Sequence, residues 1–252
     1  MSVLLFGLVG MLLGSFLALA TERYSLANNY REWLRYLLSP ASHCAHCLHQ
    51  LRWRELIPGI SWLLLRGKCR YCSQPLPFTL LLLEYISSLL LVVQYWLIAG
   101  LEMQLWMGSY TLMLLLLADI DRRYGVLPDI LTLPFLWAGL IFHSLHNQLT
   151  AVDAIAGATV GYLAFAFLAE GWQIVRGSSG MGYGDVKLFA ALGAWHGWAL
   201  LPEIALLAAG LGIAGTLAIS FFHKAKRNVM FSRQPFGPYL AVAGWIIMFI
   251  KF

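Results

Sequence analysis

Long apolar stretches alternate with short polar ones along almost the whole chain of 252 residues. Helices drawn from these stretches can cross a hydrocarbon core of roughly 30 Å, which needs about 20 apolar residues. The apolar runs cover residues 2–20, 80–99, 104–120, 128–146, 153–171, 186–201, 203–222 and 236–251. The pattern therefore predicts an all-α polytopic membrane protein with about eight transmembrane helices.

Composition supports a membrane protein over a soluble one. Hydrophobic residues make up 60% of the chain and charged residues only 12%, with a mean hydropathy of +0.72. Both values lie outside the usual range of soluble domains. The first apolar run has no basic start and is followed by Glu22 and Arg23 instead of a small-residue cleavage site. We therefore interpret it as a helix and not as a signal peptide.

Basic residues are distributed very unevenly between the two faces that these helices would create. Of the 17 Lys and Arg residues, 16 fall on the side of the loop 21–78, and only Lys251 falls on the other side. Basic residues in short loops stay cytoplasmic, so the amino terminus is predicted to lie outside. The net charge of +5 is explained by attraction to anionic inner-leaflet lipid, and no stacking motif or basic helix indicates nucleic-acid binding.

All four cysteines lie in the one long polar segment, residues 21–78. They form two pairs, Cys44-Ala-His-Cys47 and Cys69-Arg-Tyr-Cys72, with 21 residues between the pairs. Two such hairpins can supply four thiolates to a closed tetrahedral zinc site, which would be structural because it leaves no open position. Disulfides or redox-active pairs are the alternative, but a cytoplasmic location argues against stable disulfides. The neighbouring His43, His46 and His49 are alternative ligands or solvated loop residues.

These observations predict three segments. Residues 1–20 form the first transmembrane helix, residues 21–78 the cytoplasmic zinc-binding loop, and residues 79–252 a transmembrane helix bundle.

Four of the acidic residues fall at one predicted membrane depth, on the cytoplasmic face. Asp119 and Asp121 end the third run, Asp129 starts the fourth, and Asp185 precedes the sixth. Acids at this depth usually face a bundle interior or an aqueous cavity. They can also act as helix caps or as partners of neighbouring arginines, and Asp129 after a proline fits a cap in a first helical turn.

Asp185 has the clearest signal for chemistry. It ends the stretch Gly-Met-Gly-Tyr-Gly-Asp, whose three glycines permit close approach of a backbone. If it meets an aspartate of the third run across a water, the two form an aspartic-protease dyad, in which one carboxyl holds a proton and the other activates water. Asp119 and Asp121 are about 200° apart around a helix, so only one of them can face Asp185, and periodicity does not choose between them.

Motifs spread over nearly the whole chain resemble those of the type IV prepilin peptidase family. They are Gly14-Ser-Phe-Leu17 with Arg23, the two cysteine pairs with Arg-Trp-Arg-Glu-Leu-Ile-Pro58 and Ser-Trp-Leu-Leu-Leu-Arg-Gly67 between them, Leu127-Pro-Asp129-Ile-Leu-Thr-Leu-Pro134, Gly-Met-Gly-Tyr-Gly-Asp185-Val-Lys187, and Pro235-Phe-Gly-Pro-Tyr239. The resemblance implies an eight-helix fold in the bacterial inner membrane. It also implies cleavage of a short basic leader, after a glycine and on the cytoplasmic side, from prepilins or type II secretion pseudopilins whose apolar segment continues into the membrane.

The resemblance also assigns residues. Five residues separate the family's first catalytic aspartate from Leu-Pro-Asp; here Arg122 to Val126 intervene, which makes it Asp121 in place of Asp119, and the second corresponds to Asp185. Many members also methylate the new amino-terminal residue with S-adenosylmethionine, an activity associated with the zinc loop. For this second activity the resemblance points to a region that includes Glu55 and the turn at Gly67.

The sequence departs from the family pattern at several positions that leave both aspartates untouched. Ala18 replaces the usual Asn, Ser25 a Pro and Leu56 an Asn, and Thr79-Leu-Leu81 replaces an Arg-Tyr-Pro. These changes bear on the methyltransferase, so a peptidase without methylation is an alternative. Glu84, inside the second run, has no evident partner in sequence; it is interpreted either as a ligand for a substrate amine or sulfonium, or as a partner of a loop arginine.

Two other classes of protein are compatible with a membrane bundle that carries acids. A proton- or ion-coupled transporter would place its acids near the bilayer centre and show broken helices in two repeated halves. Here the acids lie at one face, and the sequence has no repeat. An inactive zinc-bearing scaffold is the remaining alternative, but both aspartates and the glycine-rich turn are intact.

Overall fold

The structure, a computed structural model, describes residues 2–27, 29–146, 149–177, 182–222 and 235–251. These residues form α-helices, with longer connections only at 39–59 and 65–77, 3₁₀ turns at Trp53–Glu55 and Trp198–Leu200, and isolated bridges in place of strands. The helices are α1 (Ser2–Tyr24), α2 (Tyr30–Leu38), α3 (Ile60–Leu64), α4 (Phe78–Leu97), α5 (Leu101–Tyr124), α6 (Asp129–His146), α7 (Ala151–Arg176), α8 (Tyr183–His196), α9 (Leu201–Phe222) and α10 (Gly237–Lys251). The all-helical prediction is confirmed.

Apolar helices occur at every predicted run, but they differ in length. Five apolar segments of the described chain are long enough to cross a membrane: Ser2–Tyr24, Phe78–Leu97, Leu101–Tyr124, Ala151–Arg176 and Trp198–Ala218. The chain is thus a multi-pass membrane protein. Helix α8 has only 14 residues and is about 21 Å long, which is less than the hydrocarbon thickness. The figure of eight spans therefore stays a prediction.

Some predicted features fall on residues that the structure does not describe. Gly180 and Met181 of the glycine-rich turn lie outside the described residues. The same holds for the basic residues Lys224, Lys226, Arg227 and Arg233.

The chain divides into two compact units, Met1–Leu116 and Leu117–Phe252. The first contains the cysteine loop, and the second begins within α5 and contains Asp119, Asp121, Asp129 and Asp185. The predicted segment boundaries at residues 20 and 78 stay a prediction.

In the first unit, α1 and α4 pack with almost no space between their backbones. A Cβ at Gly10 would lie 2.6 Å from Ser88 Cα, and one at Gly14 would lie 2.7 Å from Leu83 O. Ser87 and Ser88 donate across this contact to the carbonyl oxygens of Gly10 and Gly7, at 2.7 and 2.9 Å. Small residues and interhelical hydrogen bonds of this kind stabilise helix pairs in membranes, where burial of apolar surface contributes little.

The short helix α2 is fixed to the end of α1 by two buried side chains. Trp33 is 3% exposed and donates from Nε1 to Ala20 O at 2.9 Å. Arg23 is also buried and donates to the carbonyl oxygens of Tyr36 and Pro40. The guanidinium thus donates to free carbonyls around the carboxyl end of α2. These hydrogen bonds fix the direction in which the chain leaves α2 and enters the cysteine loop.

In the second unit, α8 lies at the centre and is buried on all sides from Leu188 to His196. It crosses α7 where Gly157 and Gly193 face each other so closely that neither has room for a Cβ. Trp195 of α8 packs against Gly139 of α6 and donates from Nε1 to Phe135 O at 2.9 Å. A helix that is apolar all round has to be buried in this way, and its burial fixes the position of its first turn, which carries Asp185.

Candidate active site and metal centre

Asp121 lies in the last turn of α5 and is only 5% exposed. Its Oδ2 accepts a hydrogen bond from the backbone amide of Gly237 at 2.9 Å. Gly237 is the first residue of α10 and the central residue of the Pro-Phe-Gly-Pro-Tyr motif. The structure therefore brings this motif, 116 residues further along the chain, directly onto the carboxylate.

Asp185 lies in the first turn of α8, within electrostatic range of Asp121. Its Oδ1 is buried and has no hydrogen-bond partner among the residues that the structure describes, while the carboxyl group also contacts the backbone of Gly182. The two aspartates singled out in the sequence thus come together inside one unit.

Asp119, the neighbour that periodicity did not separate from Asp121, is engaged elsewhere. Its Oδ1 lies 2.6 Å from Arg122 Nη2, and its Oδ2 lies 2.9 Å from Arg123 Nε. Two guanidinium groups on the following turn compensate its charge. Asp119 is therefore a partner of neighbouring arginines, which was one of the alternatives for these acids. Asp121 is left as the aspartate of α5 that faces Asp185.

Contacts between α6 and α8 hold the start of α8 in place. Lys187 Nζ lies 2.6 and 2.7 Å from the two carboxylate oxygens of Asp129. A Cβ at Gly184 would lie 2.9 Å from Leu127 Cβ, so Gly184 provides room for the Leu-Pro-Asp segment. Asp129, in the first turn of α6, is therefore the ion-pair partner of Lys187. Lys187 follows Asp185 by two residues in α8.

The two cysteine pairs have the same backbone geometry. In each, the amide of the first cysteine donates to the carbonyl oxygen five residues on, at 3.0 and 2.8 Å, and its carbonyl accepts from the amide four residues on. That residue, Leu48 or Ser73, has a positive φ of 57° or 59°. Each pair therefore forms a tight hairpin that turns two thiols to the same side.

The four thiols converge on one point. Their sulfur atoms all lie within 4.8 Å of one another, with Cys44 Sγ 3.8 Å from Cys72 Sγ and Cys47 Sγ 4.0 Å from Cys69 Sγ. A tetrahedral ion with metal–sulfur bonds of about 2.3 Å would place its thiolates about 3.8 Å apart. The cysteines are free and form a cluster able to hold a metal ion, and no histidine of the described chain belongs to this cluster.

The cysteine thiols differ in how readily they lose their protons. Backbone hydrogen bonds from Cys72 and Tyr71 lower the pKa of the Cys69 thiol to about 7. The backbone amide of Gln74 favours the thiolate of Cys72, but burial and the neighbouring thiols raise the pKa of Cys72 to about 12. The thiols thus do not all ionise together in the absence of a metal, whose charge would favour the thiolate form of each.

Glu55 lies on the wall of a cavity of about 350 Å³ whose other lining residues are Arg52, Trp53, Arg54 and Arg70. Its side chain is 5% exposed, and its Oε2 accepts from the Arg52 amide at 2.9 Å. Its Oε1 lies 3.9 Å from Arg70 Nη1 and has no hydrogen-bond partner among the described residues. The cavity therefore combines three guanidinium groups with one buried carboxylate oxygen.

Gly67, the other residue of the predicted methyltransferase region, makes backbone contacts. Its φ is +67°, and a Cβ there would lie 2.7 Å from the Trp62 indole. Its amide donates to Trp62 O and its carbonyl accepts from the Leu76 amide, at 2.9 and 2.7 Å. Gly67 thus closes the base of the hairpin that carries the second cysteine pair.

Glu84 has partners that sequence reasoning missed. Its Oε2 accepts from the Gly59 amide at 2.7 Å, and the Ser15 hydroxyl also hydrogen-bonds to it. Gly59 precedes α3 with a φ of 68°, so Glu84 connects the cysteine loop to the α1–α4 pair. An acid inside an apolar run was the only signal in the sequence, and the 25 positions between Gly59 and Glu84 could not reveal their contact.

Comparison with known proteins places both units in one family. Residues 8–98 match the bacterial peptidase A24 N-terminal domain, and residues 108–217 match the type IV leader peptidase family. A prepilin leader peptidase/N-methyltransferase of Aeromonas hydrophila is 41% identical over 84% of this chain and 72% of its own length. Proteins of the same name from Pseudomonas putida and Stutzerimonas stutzeri are 37% and 39% identical, over 94% and 95% of this chain and 87% and 88% of theirs.

No solved structure matches the chain significantly. The three relatives are each more than 30% identical to this chain, over most of its length and most of their own. Together with the two matched domains, they show that the chain belongs to the type IV leader peptidase family.

Proposed function

We propose that the protein is a membrane aspartic peptidase that removes the short basic leader of prepilins or type II secretion pseudopilins and then methylates the new amino terminus. The family match and the names of the relatives support both activities. The observation that carries the peptidase mechanism is the convergence of Asp121 and Asp185 within one unit.

The dyad would work by sharing one proton. Like charges this close are costly to ionise together, so one carboxyl keeps its proton while the other acts as a base on water. The protonated partner polarises the carbonyl of the scissile bond, and the roles exchange when the amine leaves. Cleavage after a glycine gives the substrate backbone room to approach the dyad.

Charge distribution supports an orientation with the active site on the cytoplasmic side of the bacterial inner membrane. Of 17 basic residues, 16 belong to one predicted face, which is the face of the loop 21–78. Positively charged loops remain cytoplasmic during insertion, so the amino terminus would be periplasmic.

A groove between α9 and α10 suits the apolar segment of such a substrate. Its volume is about 340 Å³, and its lining consists of Ala209, Gly212, Ile213, Thr216, Pro235, Phe236 and Tyr239. Phe236 directly precedes Gly237, whose amide contacts Asp121. A helix seated in this groove, against Ala209, Gly212 and Thr216, would direct the polypeptide just outside the membrane toward the dyad.

We propose zinc as the metal of the four-cysteine cluster. Zinc prefers tetrahedral thiolate sites, and the sulfur separations of 3.8 and 4.0 Å are those of such a site. With four protein ligands the ion would be structural, stabilising a loop that has few apolar residues in its core.

The cavity around Glu55 is our candidate for the methyl donor. S-adenosylmethionine carries a carboxylate, an ammonium, a sulfonium and an adenine ring, and when bound it supplies an electrophilic methyl group. Arg52, Arg54 and Arg70 suit the carboxylate, Glu55 Oε1 suits a cationic group, and the exposed indole of Trp53 suits the adenine.

The experiment that tests both activities is mass spectrometry of a prepilin-like substrate incubated with the purified protein in detergent. We expect loss of the leader without any cofactor, and a further gain of one methyl group only when S-adenosylmethionine is added. A substrate left intact under both conditions would contradict the proposed function, and cleavage without methylation would restrict it to a peptidase.

For the methyl-donor cavity, we expect Glu55→Gln to lower methylation about tenfold or more while leader removal changes less than twofold. Gln still accepts from the Arg52 amide but removes the negative charge, and a hydrogen bond to a charged group contributes about 1.5–3 kcal/mol. Rates of both steps can be read from the same spectra. Glu22→Gln, which changes an exposed acid, is the control, and equal methylation by both variants would exclude Glu55 from the site.

A further inference from the structure

Gly237 has no space for a side chain because of Asp121. A Cβ built on Gly237 would lie 2.7 Å from Asp121 Oδ2 and 3.0 Å from Cγ. The same residue donates its amide hydrogen to Oδ2 at 2.9 Å. Glycine therefore allows the backbone at the start of α10 to approach the carboxylate closely enough to hydrogen-bond to it.

This hydrogen bond distinguishes the two aspartates. A proton on Asp121 Oδ2 would face the amide hydrogen of Gly237, so that oxygen has to remain an acceptor. Asp185, in contrast, has a buried Oδ1 with no hydrogen-bond partner among the described residues, and an unpartnered oxygen is costly to bury in the charged form. The shared proton is better placed on Asp185.

The other charges nearby do not reverse this preference. Asp185 lies in the first turn of α8, whereas Asp121 lies in the last turn of α5 and meets the first residue of α10, so the two helix ends at Asp121 offset each other. This helix-end contribution is smaller than the cost of burying a charged oxygen without a partner. Asp119 is compensated by its two arginines, and Lys187 is held by Asp129. Each carboxyl group has a backbone contact, Asp121 with Gly237 and Asp185 with Gly182, but only Asp185 also has a buried oxygen with no hydrogen-bond partner among the described residues.

We infer that Gly237 is a positioning residue that keeps Asp121 ionised, so that Asp121 is the base of the resting dyad and Asp185 its acid. The inference rests on the proposed peptidase function. Asp121 takes a proton from water as the water oxygen bonds to the carbonyl carbon, and the carbonyl oxygen receives the Asp185 proton. The C–N bond then breaks as the Asp121 proton moves to nitrogen and one hydroxyl proton returns to Asp185, which restores the dyad.

Gly237→Ala tests this role. The added Cβ displaces the carboxylate, and a misplacement of about 1 Å can cost about 100-fold in rate, so we expect kcat to fall by that order while KM changes little. Loss of the amide hydrogen bond weakens the charged form of Asp121, and the acidic limb of the pH–rate profile should move up by about one pH unit.

Gly210→Ala is the matched control, because a Cβ at Gly210 of α9 meets no described atom within 4 Å. This variant should cleave like the wild type. Near-normal cleavage by Gly237→Ala, with an unshifted acidic limb, would overturn the inference.

A second measurement does not depend on the folding of Gly237→Ala. Infrared spectra of aspartate-labelled protein at neutral pH should show a protonated carboxyl band in the wild type and in Asp121→Asn but not in Asp185→Asn. The opposite pattern would overturn the assignment. If Asp121→Asn and Asp185→Asn both retained cleavage, the proposed aspartic mechanism itself would fail, whereas inactivity of both with normal Gly237→Ala would remove only the inference.

Discussion

Asp121→Asn and Asp185→Asn are each expected to lower leader removal by about 10³-fold or more, because general acid–base catalysis of this size depends on both members of the dyad. Asp121→Asn removes the base, and Asp185→Asn removes the proton that polarises the substrate carbonyl. Each change keeps the size of the side chain, so α5 and α8 should remain folded. The double variant should be no less active than the single ones, since residues that act as a unit are not additive.

Asp119→Asn is the matched control for this experiment, since it changes an acid two residues away on the same helix. It weakens the ion pairs with Arg122 and Arg123 and should lower the thermal stability, while cleavage stays within a few-fold of the wild type. Mass spectrometry of the substrate and the melting temperature measure the two effects separately. Full cleavage by Asp121→Asn and Asp185→Asn would show that the two aspartates are structural and not catalytic.

Much of the architecture could be predicted because hydrophobic run length and cysteine spacing are local properties. The runs placed the apolar helices to within a few residues, and two Cys-x-x-Cys pairs predicted the cluster of four thiols. The short length of α8 was harder to predict. A predicted span of 186–201 included the 3₁₀ turn at Trp198–Leu200, which the positive φ of Gly197 separates from the helix.

Contacts between distant residues could not be read from the sequence. The sequence shows where glycines and acidic residues occur. It does not show that Gly237 contacts Asp121, or that Gly59 contacts Glu84, because these contacts depend on which helices pack together. The choice between Asp119 and Asp121 is similar, because a 200° separation leaves both faces possible. The structure distinguishes the two, because arginines of the next turn form ion pairs with Asp119.

The residues proposed for the two activities belong to different units. Asp121, Asp185 and Gly237 lie in Leu117–Phe252, whereas Glu55 and the four cysteines lie in Met1–Leu116. Each set is held by contacts inside its own unit: the dyad by the packing of α8, and the cysteines by their two hairpins and the turn at Gly67. Damage to the cysteine loop should therefore affect methylation far more than cleavage.

Replacing Cys44 and Cys69 together by Ser is expected to remove the bound metal, from about one zinc per chain to near zero, and to lower methylation by tenfold or more. Both residues are buried, and a site with two thiolates left cannot hold zinc tetrahedrally. Because the free energy of metal binding stabilises the fold of so small a loop, the cavity at Glu55 should lose its shape as well. Leader removal should stay within a few-fold of the wild type, since neither aspartate lies in this unit.

Elemental analysis of the purified protein measures the metal, and the substrate assay measures both activities in the same sample. His46→Ala is the control, because His46 lies between Cys44 and Cys47 but is exposed and outside the cluster of sulfur atoms. Loss of zinc in His46→Ala with retention in the cysteine variant would exclude the four-thiolate site. Loss of cleavage together with methylation, in a variant that still folds, would show that the dyad depends on the cysteine loop, and the two activities could then no longer be assigned to separate units.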